Sequence, residues 1–204
     1  MFGCSVSRVS DDTTPLTGEP LALDLVNTRP AGPDGRQDLL ATPEQLSAWL
    51  DLQTARLPGL VPDTDPTPDD LPPVHAVRRH TEETVRALMR GAAPPPCSLH
   101  ALNGAQRTAP AIRDLFWDGR KVTFTRQRPG PLGVRLATLL AEAAVDLLAD
   151  PSVARVRECG AEDCVMLFLP AHPRRRWCSP SRCGNRTRVA RYYQRHKSAA
   201  SQEG

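Results

Sequence analysis

The sequence is poor in aromatic residues and has no long apolar segment. Phe, Trp and Tyr make up only 4% of the 204 residues, so a hydrophobic core must consist mainly of Leu, Val and Ala. No apolar run reaches the roughly 18 residues that a membrane-spanning helix requires, and the first residues lack the apolar stretch of a signal peptide. We therefore expect a cytoplasmic protein without a membrane partner, whose cysteines stay reduced unless they bind a metal.

The common signatures of enzyme sites are also missing. The chain has no P-loop, no dinucleotide-binding glycine motif and no HExxH motif. We therefore predict that the protein is not an enzyme. An enzyme would instead require a pocket with converging ionisable groups within residues 15–150.

Acidic residues are scarce in the C-terminal part of the chain. From Val165 to Gln202 there are nine Lys and Arg residues and no Asp or Glu. Residues 151–204 carry a net charge of +7, whereas residues 1–150 carry −4. This asymmetry is typical of a protein that binds a polyanion such as nucleic acid. The alternative is a solvated basic tail.

Four of the six cysteines lie close together in this basic part. They form two CxxxxC pairs, Cys159 with Cys164 and Cys178 with Cys183. Two close pairs joined by a short segment are typical of a tetrahedral zinc site with four thiolate ligands. A full thiolate shell leaves no position for water or substrate, so we predict one structural zinc ion per chain. The alternatives are two disulfides or four unrelated buried thiols.

The flanking residues predict a compact zinc module over residues 153–197. The apolar residues 165–169 indicate a buried strand, residues 174–177 a returning strand, and Gly184 a turn with positive φ. A helix is predicted from Asn185 onward. The order of knuckle, hairpin, knuckle and helix resembles a treble clef.

The segment from Cys159 to Arg186 resembles the CGNR zinc finger. The shared residues are Leu167-Phe168-Leu169, Trp177-Cys178-Ser179 and the run Cys183-Gly184-Asn185-Arg186 that names the family. Val165 and Pro170 depart from it, since glycine and aspartate are usual there. The family is regarded as a DNA-binding module of bacterial regulators, so the resemblance implies a zinc-dependent contact with double-stranded DNA.

Residues 15–150 predict a mainly helical α+β domain. We expect a first helix over residues 21–28 and a second from the capping box at Thr42 to about residue 50. A long helix should end near Met89, and a short one should run from a cap at Ser98 to about residue 106. The last helix is predicted over 132–148. Asp118-Gly119 indicates a two-residue turn of a β-hairpin within residues 112–125. The whole chain is thus predicted as an α+β protein that ends in a small treble-clef-like Cys4 zinc module.

Two stretches of this domain, residues 21–28 and 39–50, resemble the ABATE domain, which commonly precedes a CGNR finger. That domain is associated with stress-induced transcription regulators. The resemblance implies that residues 15–150 sense a signal, through an unknown small-molecule effector, or form a homodimer. Asp24, Asn27 and Thr28 either line a ligand site or cap a helix and satisfy buried backbone groups, and the second interpretation is the more typical of these residue types.

Together these observations predict a bacterial transcription regulator that binds DNA through its C-terminal finger. The residues predicted to contact nucleic acid are Arg174, Arg175, Arg176, Arg182, Asn185, Arg186, Arg188, Arg191, Arg195 and Lys197. The alternative is a zinc-stabilised module that binds protein or RNA without reading a DNA sequence.

Three residues of the finger have two interpretations. Asn185 either caps the last helix or contacts DNA, and Trp177 either packs over the zinc core or stacks on a base. Arg186 opposes the dipole of the helix start, which indicates a nearby anion. That anion is either a phosphate or the carboxylate of Glu162 or Asp163.

Overall fold

The computed structural model describes residues 14–32, 35–57 and 65–200, with the backbone alone over 193–200. Within these ranges the N-terminal part holds five α-helices, which confirms the predicted mainly helical α+β class. They are α1 (Leu21–Val26), α2 (Pro43–Gln53), α3 (Leu71–Met89), α4 (Pro96–Thr108) and α5 (Leu132–Ala149). Helices α3, α4 and α5 pack against one another, and α1 packs on α3 and α5.

The helix boundaries follow from local chemistry. The capping box at α2 is confirmed, because Thr42 Oγ1 accepts from the Gln45 N–H while the Gln45 side chain accepts from the Thr42 N–H. The predicted cap at Ser98 is wrong. Helix α4 begins at Pro96, and the buried Ser98 hydroxyl instead donates to Glu83 Oε2 on α3 at 2.6 Å.

The core consists mainly of leucines from several helices around one large aromatic residue. Trp49 and Leu46 of α2, Leu23 and Leu25 of α1, and Leu136 and Leu140 of α5 are all fully buried. The expectation of an aliphatic core is confirmed, and Trp49 is the aromatic side chain at its centre.

Three short antiparallel pairs complete the described part of the fold. They are β1 (Ala31–Gly32) with β2 (Gly35–Arg36), β3 (Ile112–Trp117) with β4 (Val122–Gln127), and β5 (Arg157–Glu158) with β6 (Leu167–Phe168). The predicted β3–β4 hairpin is confirmed, but its turn lies one residue later. The Asp118 N–H donates to the Lys121 carbonyl across Gly119-Arg120. The Asp118 carboxylate accepts from the N–H groups of Arg120 and Lys121.

The predicted returning strand over 174–177 is wrong. Strand β6 pairs with β5, so the hairpin encloses the first cysteine pair instead of following it. Residues 174–177 belong to no strand of the described structure, and the Arg175 side chain donates to the carbonyls of Trp177 at 3.0 Å and Cys178 at 2.5 Å. A π-helical turn at Pro180–Gly184 then leads into α6 (Asn185–Ala200).

The C-terminal module shares the main core of the protein. Val156 and Leu167, which flank the first cysteine pair, are buried in the same apolar cluster as the residues of α1 and α5. The division into domains 15–150 and 153–197 stays a prediction, and this shared core argues against independent folding of the first domain.

The start of α5 touches the turn before α3 at a position where only glycine fits. The Gly133 N–H donates to Asp70 Oδ1 at 2.6 Å, and a Cβ on Gly133 would lie 2.5 Å from Asp70 Cα. We predict that Gly133→Ala lowers the free energy of unfolding by about 3 kcal/mol through overpacking, measured by urea denaturation.

The matched control is Gly104→Ala inside α4, where an added Cβ meets nothing within 4 Å. Alanine loses less backbone entropy than glycine in a helix, so this variant should gain about 0.5–1 kcal/mol. If both substitutions changed the free energy of unfolding equally, the close approach of Gly133 to Asp70 would be contradicted.

Candidate metal centre and nucleic-acid surface

The four clustered cysteines meet at one point. Their Sγ atoms all lie within 4.8 Å of one another. The distances from Cys178 to Cys183, Cys183 to Cys164 and Cys164 to Cys178 are 3.5, 3.7 and 3.8 Å. A tetrahedron with Zn–S bonds of about 2.3 Å has edges of about 3.8 Å, whereas sulfurs in a disulfide lie about 2.05 Å apart. The geometry fits a zinc ion and does not fit the disulfide alternative.

Separate segments bring these sulfurs together. Cys159 follows β5, Cys164 ends a turn, Cys178 follows the turn of residues 174–177, and Cys183 lies in the π-helical turn. The residue with positive φ is Asp163, at 61°, directly before Cys164. The predicted positive φ of Gly184 is wrong, because Gly184 lies in the helical turn, where a Cβ would touch Trp177 at 3.7 Å.

Mutual contact makes the four thiols unable to ionise independently. The Cys164 thiol lowers the pKa of Cys159, because a donated hydrogen bond stabilises a thiolate. The reciprocal contact with Cys159 raises the pKa of the Cys164 thiol and of the Cys178 thiol. All four can be thiolates only when a cation offsets their repulsion.

A zinc ion supplies that charge, and the chain has one structural zinc site at this cluster. The surroundings support the ligands further. The Cys178 N–H donates to Cys159 Sγ at 3.3 Å, and Arg186 Nη2 lies 3.7 Å from Cys183 Sγ. Phe168 packs beside the cluster together with Trp177, which confirms the packing interpretation of Trp177.

Arg186 lies beside an anionic group at the helix start. Its guanidinium donates to the backbone carbonyl of Glu162 at 3.4 Å and lies 3.7 Å from the Cys183 sulfur. A thiolate of the cluster is therefore one anion near Arg186, and the phosphate and carboxylate interpretations stay predictions. The cap prediction for Asn185 is wrong, because helical backbone starts at Pro180 and the N-cap is Ser179, whose hydroxyl accepts from the Arg182 N–H.

Polar side chains of the N-terminal part hold the module in place. The amide of Asn27 donates to the Leu167 carbonyl and accepts from the Leu167 N–H, both at 2.8 Å. Glu19 accepts from Arg175 at 2.6 Å and from the Leu169 N–H at 2.9 Å. Sequence reasoning missed both links, because nothing local signals a partner more than a hundred residues away.

The side chains of Asp24, Asn27 and Thr28 all satisfy backbone groups, which confirms that part of their structural interpretation, but Asp24 is not the N-cap of α1 and Asn27 bonds to Leu167 instead of α1. Asp24 is fully buried and accepts from the N–H groups of Gly18 and Glu19 and from Arg56. The Thr28 hydroxyl donates to the Leu25 carbonyl. These side chains are occupied by the protein's own groups, so the ligand-site interpretation does not fit them.

The predicted nucleic-acid residues separate into three sets. Arg175 points inward, since it pairs with Glu19 and lies 4.6 Å above the Phe168 ring. Arg182 and Arg186 are tied to backbone carbonyls of Thr14 and Glu162. The third set is exposed, as Arg186 also is, and consists of Arg174, Arg176, Asn185, Arg188 and Arg191. The side chains of Arg195 and Lys197 lie outside the described residues.

Comparison with known proteins agrees with the geometry. Residues 19–151 match the ABATE family, which is described as "Putative stress-induced transcription regulator", and residues 155–196 match the CGNR zinc finger. No curated protein matches the chain. Among the helices that the structure describes, none is long and apolar enough to cross a membrane.

Removing one ligand should empty the site and weaken the whole protein. We predict that Cys178→Ser lowers the metal content from one zinc per chain to none. Four-thiolate coordination contributes about 10–16 kcal/mol in finger peptides, and the three remaining thiolates would bind zinc much more weakly. Thermal unfolding should begin earlier, since Asn27 and Glu19 lose their partners. Cys97→Ser, which changes an exposed thiol on α4, should alter neither metal content nor melting. A Cys178→Ser protein that retains a full zinc ion would contradict the assignment.

The amide of Asn27 offers a separate test of the contact between module and core. Asn27→Ala leaves the N–H and carbonyl of Leu167 buried without partners, at a cost of about 2–4 kcal/mol. We expect a lower urea midpoint and faster loss of zinc to a chelator. Asn103→Ala, at an exposed position of α4, is the control. If both variants behave alike, the Asn27 contact does not stabilise the module.

Proposed function

Because the chain belongs to the ABATE family and ends in a CGNR zinc finger, we propose that it is a transcription regulator that binds double-stranded DNA through α6 and the arginines beside it. Residues 15–150 would then sense the signal, including a stress signal, that controls binding. A protein of this function would act in the cytoplasm. The zinc has a structural role in this proposal, and no residue is assigned a catalytic one.

Four exposed arginines of the finger carry the proposal. Arg174, Arg176, Arg188 and Arg191 form no ion pair with any described acidic residue. In the N-terminal part, five arginines pair with carboxylates, whereas others, such as Arg90 and Arg107, do not; the paired ones are Arg36, Arg56, Arg78, Arg86 and Arg128. Exposed cations without acidic partners are the groups that neutralise phosphates.

Helix α6 is accessible where it would contact DNA. Every residue from Arg188 to Tyr192 is exposed, including Val189 at 47%, so this turn is not covered by the rest of the described chain. The major groove of DNA is about 12 Å wide and admits one α-helix. Arg188 and Arg191 are three residues apart and therefore share one side of the helix.

The zinc cluster limits which side of the module can face phosphates. A zinc ion with four thiolates carries a net charge of about −2, which repels phosphate. Arg186 lies against that cluster and offsets part of its charge. Phosphates would approach the exposed guanidinium groups of Arg188 and Arg191, although Arg191 also lines a cleft with Arg186 and Glu162. Asn185 is an exposed amide able to contact a base edge.

The experiment is a titration of a random-sequence DNA duplex with the zinc-loaded full chain at low and moderate salt. Four phosphate contacts predict a slope of about −4 in log affinity against log salt concentration. Arg188→Glu with Arg191→Glu should weaken binding at least about tenfold and make the slope about 2 units less steep, because two contacts are lost.

The matched control is Arg90→Glu with Arg107→Glu. Arg90 directly follows α3 and Arg107 lies on α4; both are exposed and form no ion pair with a described residue. It makes the same change in net charge away from the finger and should leave the slope unchanged. An equal loss in both variants would show that overall charge, and not α6, governs binding. Absence of binding at either salt, with zinc present, would favour the protein-binding alternative, and tighter binding to RNA of the same sequence the RNA-binding one.

A further inference from the structure

The β3–β4 hairpin has one apolar face that the described chain leaves uncovered. Leu115 lies opposite Phe124 and Trp117 lies opposite Val122. Because side chains alternate along strands, these four share one face. Arg113 and Arg126 lie on the same face nearer the base, and the Arg113 guanidinium lies 5.2 Å from the centre of the Phe124 ring. Leu115 is 73% exposed, Trp117 and Val122 are each 64% exposed, and Phe124 is 49% exposed.

The other face of the hairpin is more polar. It carries Asp114, Thr123, Thr125 and Gln127 together with Ile112 and Phe116. An isolated two-stranded hairpin is marginally stable in water. Here Arg128 fixes the base by donating to the Ala109 carbonyl at 2.9 Å and pairing with Glu142. The base is therefore anchored, while the apolar face of the arm still lacks a packing partner within the described residues.

The same chain contains an apolar groove between α3, α4 and α5. Its volume is about 210 Å³. Small side chains line much of it, including Ala76 on α3, Ala101 and Ala105 on α4, and Ala137 on α5. The groove is thus a recess among alanines, and the hairpin face is a ridge of large side chains.

We propose that a second copy of this chain covers both surfaces, with the apolar hairpin face of each copy packed into the helical groove of the other. The two surfaces are adjacent, since Thr108 lines the groove and β3 begins at Ile112. A two-fold axis close to the hairpin base therefore brings each arm to the groove of its partner, and the two contacts are identical.

The dimensions agree with such an exchange. A six-residue strand spans about 20 Å, and the 18 residues of α5 span about 27 Å. We take about 100 Å² of buried surface for each of the four side chains, and an equal area for the groove that receives them. The two identical contacts then bury roughly 1,600 Å² in total. That area is typical of a specific protein–protein interface. The proposal is independent of DNA binding.

The test is the mass of the full-length, zinc-loaded chain in solution, by light scattering and sedimentation over a range of concentrations. We expect twice the 22.3 kDa of one chain. Leu115→Glu with Val122→Glu should give monomers, since both side chains are exposed in a single copy and their replacement leaves its core intact. Thr123→Glu with Thr125→Glu adds the same charge to the other face and should leave the dimer intact.

The groove is tested separately by Ala101→Glu, which should also give monomers with an unchanged melting temperature at high dilution. A monomeric wild-type chain would overturn the proposal, as would dimers that survive the Leu115 and Val122 substitutions. Loss of the dimer by the hairpin variant but not by Ala101→Glu would show that two hairpins pack on each other, and would overturn the assignment of the groove.

Discussion

Four thiolates can share a sphere less than 5 Å across only if a cation neutralises them, and the C-terminal module depends on that requirement. The sulfurs lie within 4.8 Å of one another, and each comes from a different part of one short segment. Strand β6 has only two residues and pairs with a β5 of the same length, so hydrogen bonding alone could not hold these turns together. Zinc coordination supplies the free energy that a larger core would otherwise provide.

The zinc site acts on the rest of the protein through β6. Leu167 lies in the main core between α1 and the module, and both its backbone polar groups bond to the Asn27 side chain. Glu19 reaches the opposite end of the same segment, at Leu169 and Arg175. Because the Asn27 bonds are buried and the Glu19 bonds partly buried, a shift of the finger would leave polar groups without partners at about 1–3 kcal/mol each. Under the proposed sensing role of residues 15–150, a bound signal would therefore move α6 by breaking or moving these contacts.

Local chemistry made much of this fold predictable, and long-range contacts made the rest unpredictable. The capping box at Thr42, the leucine pattern of α5 and the two CxxxxC pairs each act within a few residues, so the sequence alone indicated them. The pairing of β5 with β6 was missed because a two-residue strand carries no periodic signal. The helix start at Ser179 was missed because Asn185 is an equally good capping residue in isolation, and only the contacts of the π-helical turn distinguish the two.

The same limit applies to the basic residues. Composition gives their total charge but does not show which side chains are used inside the protein and which are exposed. Arg174, Arg175 and Arg176 are adjacent and chemically identical, yet the middle one pairs with Glu19 over the Phe168 ring while its neighbours are exposed. Alternation along a tight turn and one buried carboxylate decide this difference. Arg186 is likewise directed by the thiolates that it contacts. The electrostatic surface of the finger is therefore produced by the zinc site and the docking contacts together, since they fix which guanidinium groups are used inside the protein and which remain available to a partner.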